Sequence, residues 1–244
     1  MSELDLIYGP DCVLKSSYGK EPFRILYNTL DKLQDKFEVF DSDKILIIKR
    51  KLLNSCRKLY MLHGAGVSAI KVEHDFIVSQ DRECPALIWE EEIELLYHLE
   101  AMVLFARSSL DLGANIFANL MLEPFGTRRM DSFNDFSKFI LKTSDEKLGA
   151  VRELISEMDN NEFSWLRLLC GSSKGRALRD KIAHQTIILV DYFEAEGKED
   201  KEYCHVVINN IPFRLELFIH NICLGVYTFF FLAEETMMKI LNLE

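Results

Sequence analysis

The chain has 244 residues, of which 48% are hydrophobic and 28% charged, and its formal net charge is -10. This apolar content supports a sizeable core and argues against a chain that is disordered throughout. The net acidity argues against a protein that coats nucleic acid non-specifically, because such binding requires many cations against the phosphates. Any contact with RNA would need a local basic patch.

The cysteines and the start of the chain indicate a cytoplasmic protein. Six cysteines are scattered without a Cys-x-x-Cys pair, and the acidic N-terminus lacks an apolar signal segment. We expect reduced, buried thiols. The apolar run at 222–233 has twelve residues, whereas about 20 are needed to span a bilayer. We therefore expect a core helix there and no membrane partner.

The first half of the chain predicts helices separated by glycine and proline. A helix opens at Pro22 and carries apolar residues on one face through Phe37. A second helix is predicted over 43–62 and a break at Gly64-Ala65-Gly66, with 67–84 ambiguous between a short strand and a loop. The longest periodic segment, 89–122, predicts a helix that forms the spine of a bundle.

The second half predicts shorter helices and one hairpin. Helices are expected over 132–141 and 145–158, the latter with a capping-box pattern, Thr143-x-x-Glu146. A further helix is expected over 161–184, with an interruption at 171–175.

The pattern then changes from helical to β. The β-branched, apolar runs 186–190 and 204–208 flank a polar link and predict a β-hairpin. A last helix is predicted from near Pro212 to about Leu241. The fold class that follows is mainly α, a helical bundle with a small β-hairpin after the 161–184 helix.

The segment Arg179-Asp180-Lys181-Ile182-Ala183-His184 carries the strongest functional pattern. It resembles the motif of the HEPN family, small α-helical domains that often cleave RNA without a metal. That motif is an Arg, then a polar residue (Asn, Asp or His), then a His after four to six intervening positions. Two further pairs, Arg57/His63 and Arg214/His220, fit the spacing, but neither Arg is followed by a preferred polar residue.

These residue types suit RNA cleavage by the 2′-hydroxyl. An imidazole that titrates near neutrality, His184, can act as base, acid or both. The guanidinium of Arg179 can bind the negative charge of the transition state through two donors. Asp180 could orient either partner, and apolar Ile182 would point inward against the core.

Local charge supports the same segment. Residues 167–181 contain five cations and the single acid Asp180, so that stretch has a charge of +4 in an acidic chain. We assign Lys174, Arg176 and Lys181 as contacts to the RNA backbone. No metal or other cofactor is expected.

The resemblance to HEPN proteins has further implications. It implies an endoribonuclease that serves as a toxin or defence effector, with RNA as substrate and an antitoxin or other protein as a further partner. It also implies a homodimer whose composite site brings the Arg and His segments of two chains together. We predict one α-helical domain over 1–244, with about 1–85 an N-terminal helical extension and about 86–244 the HEPN-like core.

Two other interpretations remain open. The chain could be a non-catalytic, HEPN-like helical module that binds a protein or a nucleotide, which its net acidity favours. Alternatively, Arg179 and Asp180 could be solvated charges at a helix end and His184 a helix cap or a core imidazole. On the long helix, Arg107 and Asp111 are four residues apart and can pair, and with Ser108 they are weaker site candidates.

Overall fold

The structure is a computed structural model. It describes residues 24–36, 40–79, 89–122, 132–161, 164–171, 177–178, 180, 182, 189–193, 203–208 and 211–243. Within these residues the protein is mainly helical, with one small antiparallel sheet. The helices are α1 (Arg24–Thr29), α2 (Lys32–Lys36), α3 (Ser42–Ser79), α4 (Trp89–Phe117), α5 (Phe133–Lys142), α6 (Gly149–Asn160), α7 (Trp165–Cys170) and α8 (Leu215–Ile240). The strands are β1 (Leu189–Phe193), β2 (Tyr203–Ile208) and β3 (Ile211–Arg214).

Helices α3 and α4 form a long antiparallel pair. Lys51 of α3 donates to Asn115 of α4 at 2.5 Å, and Lys58 lies 5.1 Å from the centre of the Phe105 ring. Residue numbers therefore rise along one helix as they fall along the other. The predicted spine is confirmed as α4, which continues into a π-helical turn, Ala118–Leu122.

The predicted break at Gly64-Ala65-Gly66 is wrong. Helix α3 runs without interruption to Ser79, so the strand or loop expected from residue 67 is also wrong as far as the described residues reach. A helical glycine costs about 1 kcal/mol relative to alanine. Because Ala65 and Ala69 are buried beside these glycines, the packing of this stretch outweighs that cost.

The predicted N-terminal helix has the expected apolar face. The prediction of one continuous helix is wrong. Leu26, Leu30 and Leu33 are fully buried as predicted, but a turn separates α1 from α2. Pro22 and Phe37 lie outside the described residues. The backbone N–H of Leu26 donates to Glu234 of α8 at 3.0 Å, so a side chain from the far end of the chain caps α1.

The middle helices have different caps from those predicted. Ser132 caps α5, as its Oγ accepts from the Asp135 N–H. The predicted capping box at Thr143 does not form, because Asp145 is the N-cap residue and accepts from the Lys147 N–H. A 3-10 turn, Glu146–Leu148, then leads into α6.

The predicted β-hairpin is confirmed and extended. β1 pairs antiparallel with β2, from Leu189 opposite Val207 to Phe193 opposite Tyr203. β3, which we did not predict, pairs antiparallel with β2 and holds Pro212 opposite Val207. Proline is tolerated there because β3 is an edge strand of the described sheet. The last helix consequently begins at Leu215 rather than near Pro212.

Helix α8 lies in the core. Its aromatic side chains pack against α5, with the Phe229 and Phe133 ring centroids 4.9 Å apart. Gly225 and Gly113 allow close packing, because a Cβ at either position would overlap Trp165 or Phe230 respectively. By length and composition α8 could cross a membrane, yet half of its most apolar stretch is buried within the protein.

One hydrophobic cluster joins residues on both sides of position 85, from Leu26 to Leu243. The division into an extension of about 1–85 and a core of about 86–244 stays a prediction.

Candidate functional site

The HEPN-like motif is only partly within the described residues. Asp180 and Ile182 are described, in helical conformation, whereas Arg179, Lys181 and His184 lie outside the described residues. The predicted backbone contacts Lys174 and Arg176 lie outside them as well.

The described part of the motif segment is held against the core. Leu178 and Ala177 are buried, and the Asp180 N–H donates to the Ala177 carbonyl at 3.1 Å. Ile182 packs against the hydrophobic cluster, which confirms the inward orientation that we predicted for it. Asp180, on the same turn, is half-buried.

A polar cluster centred on Arg107 lies where α4, α5 and α7 meet. The Arg107 guanidinium donates to Asn134 at 2.9 Å and to the Cys170 sulfur at 2.7 Å. Its other terminal nitrogen lies 3.1 Å from the Asp111 carboxylate. We call Arg107, Asp111, Asn134 and Cys170 the Arg107 cluster. The predicted pairing of Arg107 with Asp111 is confirmed.

The cluster also fixes the start of α5. Asp111 accepts from the Phe133 N–H at 2.8 Å, while the Arg107 side chain is only 11% exposed. A guanidinium removed from water to this degree requires compensating acceptors. Asp111, Asn134 and Cys170 supply them from three helices.

Asp180 acts electrostatically on this cluster. Burial raises the pKa of the Cys170 thiol to about 12, Arg107 opposes that rise, and the Asp111 and Asp180 carboxylates add to it. Asp180 therefore lies within electrostatic range of the cluster. The thiol stays protonated near neutrality, so Cys170 lacks the thiolate that a nucleophile needs.

Sequence reasoning found two members of the cluster and missed the other two. Arg107 and Asp111 share a helix, so their spacing of four residues is visible in the sequence. Asn134 and Cys170 lie 27 and 63 residues from Arg107. No local pattern indicates contacts at such separations.

Two further Arg/His pairs fit the motif spacing and serve here as decoy pairs. In neither pair do the Arg and the His side chains lie in the same environment. Arg57 is exposed and donates to Asn54, whereas the His63 ring packs edge-to-face on Tyr227 at 4.6 Å. Burial lowers the pKa of His63 to about 4, so this imidazole is neutral near pH 7. In the other pair, Arg214 forms an ion pair with Glu216 at 3.1 Å and His220 is exposed.

Ser108, the remaining site candidate on α4, is half-buried beside Arg107. Within the described parts of the chain, no group of three or more His, Cys, Asp or Glu side chains is arranged to hold a metal ion.

Comparison of the chain with protein families, with curated proteins and with solved structures gives no match. The resemblance to HEPN proteins therefore rests on the motif residues and their helical surroundings.

Proposed function

We propose that this protein is a metal-independent endoribonuclease of the HEPN type, acting in the cytoplasm as a toxin or defence effector. The observation that best supports the proposal is the position of Asp180. A fully solvated charge at a helix end would be exposed. Asp180 is instead half-buried, within electrostatic range of the Arg107 cluster.

In the proposed reaction the RNA supplies its own nucleophile. His184 takes the proton from a 2′-hydroxyl, and the 2′-oxygen attacks the adjacent phosphorus. The bond from phosphorus to the 5′-oxygen breaks, and that oxygen receives a proton from the imidazolium. The products are a 2′,3′-cyclic phosphate and a 5′-hydroxyl.

The other residues of the motif segment have supporting roles. Arg179 binds the phosphate oxygens on which negative charge accumulates in the transition state. Asp180 orients Arg179 or His184 and favours the protonated imidazole. Lys174, Arg176 and Lys181 contact the RNA backbone, where positive charge is needed on an otherwise acidic protein.

The proposed partners follow from the same family analogy. They are RNA, a second copy of the chain that completes a composite site, and an antitoxin or other regulatory protein. We propose no membrane partner.

The test is incubation of purified protein with mixed RNA in EDTA, followed by analysis of the fragment ends. We expect cleavage that persists in EDTA and leaves 2′,3′-cyclic phosphates. Arg179→Ala and His184→Ala should each reduce the rate at least about 100-fold, the usual size of an acid–base or charge-stabilising contribution.

Matched controls come from one of the decoy pairs. Arg214→Ala and His220→Ala remove the same residue types from a pair that also fits the motif spacing and lies outside the motif segment, and both should cleave at the wild-type rate. RNA that stays intact with folded wild-type protein would contradict the proposal. It would favour the alternative, a non-catalytic helical module, which the net charge of -10 suits.

A further inference from the structure

Helix α3 has an apolar face that points away from the core. Leu46, Leu53 and Tyr60 are exposed and spaced seven residues apart, so they follow one side of the helix. Ile47 and Met61 lie beside them and are also exposed. We call these five residues the α3 stripe. Tyr60 is 61% exposed, an unusual position for a large aromatic side chain within an apolar row.

The α3 stripe is surrounded by positive charge. Residues 44–72 contain seven Lys and Arg and no Asp or Glu. Four of these cations are half-buried, whereas Arg50, Arg57 and Lys71 are exposed, and Arg50 and Arg57 lie between the apolar residues of the stripe. Tyr, Met and Arg are the residues enriched at protein interfaces, so this composition favours a protein partner.

Helix α4 carries a second exposed apolar row with the opposite charge. Ile93, Tyr97 and Leu104 are exposed, Tyr97 to 68%. We call these three residues the α4 stripe. Residues 89–106 contain five Glu and no Lys or Arg. Glu94 is exposed and Glu92 half-buried next to the stripe.

The two stripes fit each other better than either fits itself. Two α3 stripes in contact would bring Arg50 and Arg57 of one chain against the same arginines of another, and like charges at an interface are unfavourable. An α3 stripe on an α4 stripe pairs arginine with glutamate around apolar contacts. Because each chain carries both, a two-fold axis would form this contact twice.

We infer that the outer faces of α3 and α4 form a homodimer interface, with the α3 stripe of each chain on the α4 stripe of the other. The inference requires no catalytic activity. Leu104 precedes Arg107 by three residues, less than one helical turn. The interface therefore ends beside the Arg107 cluster.

The inference is tested by sedimentation of charge-reversed variants at several protein concentrations, without RNA. Wild-type protein should be a dimer. Arg50→Glu/Arg57→Glu and Glu92→Lys/Glu94→Lys should each raise the dimer dissociation constant about tenfold or more, because attraction becomes repulsion at both copies of the contact. The variant that combines all four changes should regain the wild-type dissociation constant.

Mixing the two double variants provides the sharper result. One variant is acidic at both stripes and the other is basic at both, so an equimolar mixture should form a heterodimer although each variant alone is weakened. Recovery on mixing also shows that both variants are folded.

A matched control reverses exposed charges elsewhere, Lys142→Glu with Glu157→Lys on α5 and α6, and should leave the dimer unchanged. A monomeric wild type would overturn the inference and assign the surface to another partner. A dimer that both double variants leave intact would overturn it too, because its interface would then lie elsewhere.

Discussion

At the scale of single residues, Arg107 connects three helices through one guanidinium. Its partners Asp111, Asn134 and Cys170 come from α4, α5 and α7, and the side chain is 11% exposed. Removing it leaves the Asp111 carboxylate and the Asn134 amide without their shared donor. Losing one partner from a largely buried charge pair is more costly than losing a surface pair.

We therefore predict that Arg107→Met lowers the free energy of unfolding by about 1–3 kcal/mol, as measured by urea denaturation. Lys142→Met, which removes an exposed cation away from these contacts, should alter it by less than about 0.5 kcal/mol. Equal effects at the two positions would show that the Arg107 contacts contribute no net stability.

His63 makes the stability of the protein sensitive to acid. Its pKa is lowered to about 4 by burial, against about 6.5 in an unfolded chain. Below pH 6.5 the unfolded state binds a proton that the folded state does not bind, so stability is complete above that pH and falls as the pH approaches 4.

We predict that this one group lowers the free energy of unfolding by about 2 kcal/mol between pH 7 and pH 5. His63→Phe should remove that part of the pH dependence, and the same substitution at exposed His74 should retain it. Urea denaturation at the two pH values measures the difference. A His63→Phe variant that loses as much stability at pH 5 as the wild type does would refute the assignment.

At the scale of elements, two helical glycines have opposite roles. A Cβ at Gly225 of α8 would overlap the indole of buried Trp165 on α7, whereas a Cβ at Gly64 of α3 has no neighbouring atom within 4 Å. Gly225 is therefore required for close packing of α7 on α8. Gly64 only weakens the helix that contains it.

Alanine at the two positions should therefore change stability in opposite directions. Gly225→Ala should lower the free energy of unfolding by about 1–3 kcal/mol, since overpacking outweighs the gain in helix propensity. Gly64→Ala should raise it by about 0.5–1 kcal/mol. Thermal or urea denaturation measures both, and a stabilised Gly225→Ala variant would contradict the packing described for α7 and α8.

The helices and the hairpin could be predicted because their signals are local. The spine α4 shows its apolar period over many turns, and Leu99, Val103 and Leu110 are fully buried as that period requires. The β1–β2 pairing likewise follows from two β-branched runs and a polar link.

The errors lie where contacts between distant elements determine the local structure. Gly64 resembles a helix end in sequence, but α3 continues there because its other face packs in the core. Pro212 is a residue type typical of a helix start, but here it belongs to the edge strand β3, which pairs with β2. Similarly, Asn134 and Cys170 join the Arg107 cluster only through the folded arrangement of α5 and α7.

At the scale of the whole molecule, the proposed activity and the proposed dimer depend on different residues. The proposed cleavage depends on Arg179 and His184, whereas the proposed self-association depends on the stripes of α3 and α4. Charge-reversed monomers that lose cleavage, and a mixture that regains it, would show that the site is completed by two chains. Monomers with full activity would instead place a complete site in each chain.

The proposed chemistry is tested most directly at one bond of one RNA. An oligonucleotide that wild-type protein cleaves in EDTA is made again with a 2′-deoxynucleotide on the 5′ side of the cleaved phosphate. If the 2′-hydroxyl is the nucleophile, cleavage at that bond disappears while other bonds are cut as before. Continued cleavage at the 2′-deoxy position, or the absence of any RNA cleavage by folded wild-type protein, would contradict the account.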